Sequence, residues 1–159
     1  MLALLEHSVS RVSGTCAMED TDSMAIVSTR KGGFIPAKSV GGPIKSLGWK
    51  RVIQIVRKFE SLNPYDRKVI PGSILKIEND NFDLKSGKQR QLHCLAISAK
   101  RYALFVRLKT GEPVLLREGK NNKKDRWSRH GLGHLLNPSD PEASERNWTA
   151  AVWEMIVRK

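Results

Sequence analysis

The chain has 159 residues, of which 28 are Lys or Arg and 16 are Asp or Glu, so its formal net charge is +12. Hydrophobic residues make up 40% of the sequence, which excludes wholesale disorder, and a chain of this length can bury a core of its own. The apolar run at residues 2–5 is too short for a membrane span or a signal peptide, and we therefore expect a cytoplasmic protein.

The positive charge is concentrated in the middle of the chain. Residues 25–130 hold 24 bases and 8 acids, whereas residues 1–24 hold one base and four acids. A surface with this excess of bases attracts polyanions, and nucleic acid is the favoured partner. Charge alone does not choose between DNA, RNA and a membrane surface.

The N-terminal part is predicted to be a helix followed by a hairpin. Residues 1–12 place apolar side chains at near-helical spacing, which favours an amphipathic helix. Residues 15–19 and 23–28 are β-prone and flank an Asp-Thr-Asp tripeptide at 20–22, which predicts two strands joined by a tight turn. The glycine pairs and prolines of residues 30–45 indicate a loop.

The rest of the chain is predicted to contain a helix, three strands and a final helix. Apolar residues at helical spacing from Trp49 to Phe59 indicate the first of these helices, with Ser46 as its candidate N-cap. Its other face carries four cations, Lys50, Arg51, Arg57 and Lys58. Strand-like segments occupy residues 73–78, 92–98, 102–108 and, more briefly, 113–117, and a basic loop at 118–129 precedes a helix over 141–157 with Ser139 or Asp140 as its N-cap. This order of elements predicts an α+β fold with an antiparallel sheet.

Asp20 and Asp22 are the candidate catalytic and metal-binding residues. Two carboxylates at a rigid turn can offer oxygen ligands to a hard cation such as Mg²⁺. Nucleotidyl transfer uses such cations to neutralise charge on the attacking and leaving oxygens. An EF-hand is excluded, since Met24 and Ala25 stand where a ligand and an invariant glycine are required. The tripeptide by itself also fits a solvated acidic turn, and it occurs in unrelated nucleotide enzymes.

The flanks of the tripeptide resemble motif C of the family B DNA polymerases. A helix over residues 1–12 and then a strand lead into Asp-Thr-Asp-Ser at residues 20–23, which is the order of elements in that family. Position 18 holds Met where the family carries Tyr. The resemblance implies that Asp22 is the shared ligand of two metal ions, that Asp20 is its supporting neighbour, and that Mg²⁺ is the cofactor.

A second segment resembles the Lys-x-Tyr element that follows motif C in the same polymerases, at the junction of the palm and thumb domains. Lys100 and Tyr102 take the matching positions, and residues two apart on a strand project to the same face, so both could meet one DNA backbone. The residues expected to bind DNA are Lys100, Arg101 and Tyr102, together with Lys120, Lys123, Lys124 and Arg126 of the basic loop.

Two further features favour structural roles. His130 and His134 are four residues apart, but two glycines lie between them and no third ligand is nearby, so zinc binding is not expected. Trp148 and Trp153 could stack on bases, but their helical spacing favours places in a core.

The resemblance implies an antiparallel palm-type hairpin and sheet with flanking helices over residues 1–110, followed by a partly helical, thumb-like segment over 111–159. We therefore expect the C-terminal portion of a DNA-directed DNA polymerase, with primer–template duplex DNA as its partner and no membrane. A deoxynucleoside triphosphate would bind in the complete enzyme, and an N-terminal polymerase chain is a further expected partner.

The upstream motifs of the family, which supply a second metal-binding Asp and hold the nucleotide, have no counterpart in this sequence. The isolated chain is therefore expected to be inactive. The alternatives are a non-catalytic DNA-binding remnant and a subunit of a split polymerase. A glycosyltransferase with an Asp-x-Asp motif would leave the basic middle of the chain unexplained.

Overall fold

The computed structural model describes residues 1–37, 41–83, 85–98, 101–118, 126–127 and 147–159. Contacts between these residues divide the chain into two units, Met1–Asn79 and Asp80–Lys159. Each unit combines helix with antiparallel strands, which confirms the predicted α+β class. The domain boundary predicted at residue 110 falls between two paired strands of the second unit. Within the described ranges, no helix is long and apolar enough to cross a membrane.

The described residues of the first unit form two helices and five short strands. Its helices are α1 (Leu2–Ser10) and α2 (Trp49–Lys58), and its strands are β1 (Cys16–Asp20), β2 (Ser23–Ile26), β3 (Ser28–Thr29), β4 (Gly33–Ile35) and β5 (Ile44–Gly48). Strands β1 and β2 form an antiparallel hairpin. Strand β5 lies between the other two strands, antiparallel to β4 and parallel to β3. The helix and hairpin predicted for the N-terminal part are confirmed.

The predicted loop at residues 30–45 and the predicted N-cap Ser46 are wrong, because strands β4 and β5 form there. Ser46 lies within β5 at 2% exposure, and its hydroxyl donates a hydrogen bond to the Gly33 carbonyl at 3.0 Å. The amide of Gly32, at a φ of +79°, donates to the Thr29 hydroxyl at 2.9 Å. Helix α2 instead begins after Gly48, with no side-chain cap.

The core of the first unit joins both helices to strand β5. Leu5 and Val9 of α1 pack with Leu47, Ile55 and Phe59, and the hairpin residues Cys16, Met24 and Ile26 lie against this cluster. Gly14 follows α1, and a Cβ placed there would lie 2.8 Å from the side chains of Leu47 and Val9. Burial of these apolar groups therefore fixes the hairpin against α1.

Ser73 and its neighbours lie in an irregular segment, so the strand predicted at residues 73–78 is wrong. The Ser73 hydroxyl donates to the carbonyl of Val56 in α2 at 3.1 Å, and it accepts from the Leu75 amide at 3.2 Å. Ile74 and Leu75 pack against the core of the first unit. The apolar residues of this segment thus hold a loop onto α2 instead of forming a sheet.

The described residues of the second unit form a three-stranded antiparallel sheet, one short strand pair and a helix that covers the sheet. Its elements are β6 (His93–Ser98), β7 (Arg101–Arg107), β8 (Pro113–Leu115) and α3 (Asn147–Arg158), together with the short antiparallel pair β9 (Arg117–Glu118) and β10 (Arg126–Trp127). The strands predicted at 92–98, 102–108 and 113–117 are confirmed in type, within one or two residues at each end.

The core of this unit lies between the sheet and α3. Trp153 is fully buried, and it packs in one cluster with Ala103, Phe105, Leu115 and Val157. The predicted place of Trp153 in a core is therefore confirmed. Residues 141–146 and the two candidate N-caps of the predicted final helix, Ser139 and Asp140, lie outside the described residues.

Candidate functional site

The Asp-Thr-Asp tripeptide forms the turn of the β1–β2 hairpin. Asp20 pairs with Ser23, so Thr21 and Asp22 are the two residues that connect the strands. The Asp22 amide donates to the Asp20 carbonyl at 2.8 Å, and the Ser23 hydroxyl donates to the same carbonyl at 3.1 Å. The turn is thus closed by bonds within the motif, and the predicted position of the two carboxylates at a hairpin tip is confirmed.

Thr21 adopts a left-handed backbone conformation, with a φ of +58°. Glycine and asparagine reach this region easily, whereas a β-branched residue is an outlier there. A cost of about 1–2 kcal/mol for this conformation must be offset by the surrounding turn. Strain of this kind is often found where a site needs a fixed geometry, which makes the turn a candidate for function.

The side chains of the turn are accessible to ligands. Asp22, Thr21 and Glu19 are exposed, and Asp20 is half-buried. The Thr21 hydroxyl donates to Oδ1 of Asp20 at 3.3 Å, which limits the rotation of that carboxylate. Two carboxylates therefore lie at the same end of one hairpin, one open to solvent and one partly held by its neighbour.

The base of the hairpin is fixed by packing. The Cys16 thiol donates to the Met24 sulfur at 3.3 Å, across the two strands. Burial, and then the nearby charges of Glu6 and Glu19, raise the pKa of the Cys16 thiol. A thiol that stays protonated is a poor nucleophile and metal ligand, so Cys16 supports the hairpin and does not extend the site.

The donor set at the turn fits part of a magnesium site. Carboxylate oxygens are the ligands that Mg²⁺ prefers, and Asp20 and Asp22 supply them from one rigid element. Among the described residues, however, no group of three His, Cys, Asp or Glu side chains comes together as a metal site. The hairpin thus offers two ligands, and a two-metal site needs a further carboxylate.

The second predicted element lies at the start of β7 in the other unit. Arg101, the first residue of β7, is exposed, whereas Tyr102 is only 8% exposed. Little of the Tyr102 ring is therefore open to a partner, and Arg101 is the accessible residue of the pair. The DNA contact itself stays a prediction.

Most of the other predicted DNA-binding residues lie outside the described part of the chain. These residues are Lys100, Lys120, Lys123 and Lys124. The histidine pair His130 and His134, for which structural roles were predicted, also lies outside the described residues. Arg126 lies in β10, paired with Glu118 of β9. Their roles stay predictions.

The sheet of the second unit carries a stack of three side chains that the sequence did not predict. The rings of His93 and Phe105 stack at 5.3 Å across β6 and β7, and the Arg107 guanidinium lies 5.5 Å from the Phe105 ring centroid. Burial, and then the charge of Arg107, lower the pKa of His93. The aromatic and charged residues at alternate positions 105 and 107 were the only sequence signal for this group.

Comparison with known proteins assigns no function to the hairpin or to the positively charged residues 25–130. No protein-family model, curated protein or solved structure matches the chain. Functional assignment therefore depends on the geometry of the hairpin and on the order of the two motifs along the chain.

Proposed function

We propose that this chain is the C-terminal portion of a DNA-directed DNA polymerase of the B family, carrying a metal-binding hairpin and a basic surface for the primer–template. One observation carries the proposal. The Asp-Thr-Asp turn closes an antiparallel hairpin that packs on the helix preceding it, in the order helix, strand, turn, strand. The accessibility of Asp22 supports a role as a ligand.

The residues of the hairpin have separate tasks in this proposal. Asp22, which is exposed, and Asp20, which is held by Thr21, would ligate Mg²⁺ through their carboxylate oxygens. The metal ions would supply neutralisation of the charge that develops on the phosphate oxygens during nucleotidyl transfer. The strained turn would keep the two carboxylates at a fixed separation before metal binds.

The sequence carries no counterpart of the upstream motif that supplies a further metal-binding Asp in the family, so we expect the isolated chain to extend no primer. The missing carboxylate and the contacts to the deoxynucleoside triphosphate would come from an N-terminal polymerase segment. A non-catalytic DNA-binding remnant is the second candidate, and the positive charge of residues 25–130 supports both.

Metal binding at the turn separates these two candidates. Mn²⁺ is a paramagnetic substitute for Mg²⁺, and it should broaden the backbone amide NMR signals of residues 19–23 selectively. Asp22→Ala should abolish this broadening because it removes the exposed ligand. Glu19→Ala is the matched control, since it removes one exposed carboxylate from the same hairpin and should leave the effect in place.

Two results would contradict the metal assignment. One is uniform weak broadening over all exposed acids, with no preference for residues 19–23. The other is an equal loss of broadening in Asp22→Ala and Glu19→Ala, which would mean that the ion responds to the general charge of the hairpin. Either result would leave the DNA-binding remnant as the better description.

A further inference from the structure

A separate cluster of positive charge lies on the unit that carries the hairpin. Helix α2 buries Ile55, at 3% exposure, in the core of this unit. Its outer face carries only exposed cations and Gln54 over two turns. We call the exposed cations on and beside this face the α2 basic surface, and they are Arg30, Lys31, Lys50, Arg51, Arg57 and Lys58.

Arg30 and Lys31 belong to this surface because of strand pairing. Thr29 of β3 pairs in parallel with Gly48, the residue immediately before α2. The backbone then turns so closely past the start of the helix that a Cβ on Gly48 would lie 3.2 Å from the Lys31 carbonyl oxygen. The two exposed cations of this turn therefore lie beside the first turn of α2.

The charges at the N-terminal end of the α2 basic surface are arranged unfavourably for the protein alone. The first turn of α2 contains Lys50 and Arg51 and no acidic residue, although a helix N-terminus carries partial positive charge. In the part of the chain that the structure describes, no carboxylate forms an ion pair with any of the six cations, and Arg51 donates instead to Gln54 at 3.1 Å. An anionic partner would relieve this repulsion.

The form of the surface favours nucleic acid over a lipid membrane. A basic amphipathic helix binds membranes by inserting its apolar face, but the apolar face of α2 packs in the core with Phe59, the residue that follows the helix. Lys50 and Arg57 are seven residues apart, so the two ends of the surface are separated by about 10 Å along the helix axis. Duplex DNA presents about one phosphate charge for every 1.7 Å of its axis, so both ends can contact phosphates of one duplex.

We propose that the α2 basic surface binds the phosphate backbone of duplex DNA, as a contact additional to the predicted DNA-binding residues of the second unit. The choice of duplex DNA as ligand rests on the proposed function. The contact is electrostatic and independent of base sequence, because it consists of exposed Lys and Arg side chains on the outer face of a helix and its neighbouring turn.

Fluorescence anisotropy with a labelled 20-base-pair duplex tests the proposal over a range of salt concentrations. The variants are Lys50→Gln with Arg51→Gln, and Arg57→Gln with Lys58→Gln. The matched control is Arg67→Gln with Lys68→Gln, which removes two exposed cations from a loop of the same unit. Each lost phosphate contact should lower the slope of log K against log salt by about 0.9, so each α2 double variant should lose about 1.8.

The expected result is a loss of affinity of about tenfold or more for each α2 variant at low salt, with a smaller loss for the control. Equal losses in all three double variants would mean that only net charge matters, and would overturn the proposal. Binding of phosphatidylserine vesicles that is lost in the α2 variants, with no change in duplex binding, would overturn it in favour of a membrane surface.

The Mn²⁺ experiment distinguishes failure of this inference from failure of the proposed function. The α2 variants should retain selective broadening of residues 19–23, since they alter no residue of the turn. Unchanged duplex binding in both α2 variants, with the Mn²⁺ effect retained, would overturn the α2 contact alone. Absence of duplex binding by the wild-type chain at low salt would overturn both the contact and the DNA-binding part of the proposed function.

Discussion

Replacing Thr21 by Gly should stabilise the protein while weakening the metal binding proposed at the turn. Thr21 has a φ of +58°, a conformation that costs a non-glycine residue about 1–2 kcal/mol. Glycine removes that cost but gains backbone entropy in the unfolded chain worth about 0.5–1 kcal/mol. The exposed hydrogen bond from Thr21 to Asp20, at 3.3 Å, adds only a small loss. We therefore expect a net gain of about 0.5 kcal/mol.

Thermal and urea unfolding would measure this gain. For a unit the size of Met1–Asn79, about 0.5 kcal/mol corresponds to a rise in Tm of roughly 2–4 °C. The same variant should reduce the selective Mn²⁺ broadening of residues 19–23, because the Asp20 carboxylate loses the hydrogen bond from Thr21 and the turn becomes less rigid.

Ser13→Gly is the matched control, since Ser13 is also exposed and has a φ of +57°. It should raise the stability by a similar amount and leave Mn²⁺ broadening unchanged. A lower Tm for Thr21→Gly would refute the argument from backbone strain. A reduction of Mn²⁺ broadening by Ser13→Gly as large as that by Thr21→Gly would refute the link between the turn and the metal site.

Three further predictions concern packing, pH and salt. Gly14→Ala should lower the free energy of unfolding by about 1–3 kcal/mol in urea titrations, because its Cβ would lie 2.8 Å from Leu47, and an unchanged midpoint would contradict the packing at this position. The pKa of His93 is lowered on folding, because burial disfavours the charged imidazole. The contribution of His93 to the free energy of unfolding should therefore be complete above about pH 6.5 and be lost as the pH falls further. His93→Phe should make the free energy of unfolding less sensitive to acid, as measured between about pH 5 and 8. An identical pH dependence in the variant and the wild-type chain would contradict the assignment of this sensitivity to His93. The wild-type chain should bind duplex DNA without sequence preference, with affinity falling by orders of magnitude between about 50 and 200 mM salt, and anisotropy curves insensitive to salt would contradict backbone binding.

Local patterns predicted the parts of the fold that depend on neighbouring residues. The apolar spacing of residues 1–12 predicts α1, and the β-prone runs around the tripeptide predict the hairpin and the positions of Asp20 and Asp22. The antiparallel pair β6 and β7 follows from two β-prone runs that lie close in sequence. Each of these elements is specified within a short stretch of chain.

The parts that were missed depend on long-range contacts. Strands β4 and β5 pair across a segment rich in glycine and proline, and the Ser46 hydroxyl bonds to Gly33 instead of capping a helix. The approach of Arg30 and Lys31 to α2 requires the parallel pairing of Thr29 with Gly48, which no local pattern signals. The hairpin of the candidate site and the four cations on α2 could therefore be predicted, whereas the addition of Arg30 and Lys31 to that surface could not.

Primer extension tests the polymerase assignment most directly. The chain would be mixed with a family B polymerase fragment that carries the upstream motifs, together with a primer–template, Mg²⁺ and deoxynucleoside triphosphates. We expect no extension by the chain alone, extension by the mixture, and loss of that extension with Asp22→Ala but not with Glu19→Ala. Robust extension by the chain alone, or extension by the mixture that survives Asp22→Ala, would contradict the account.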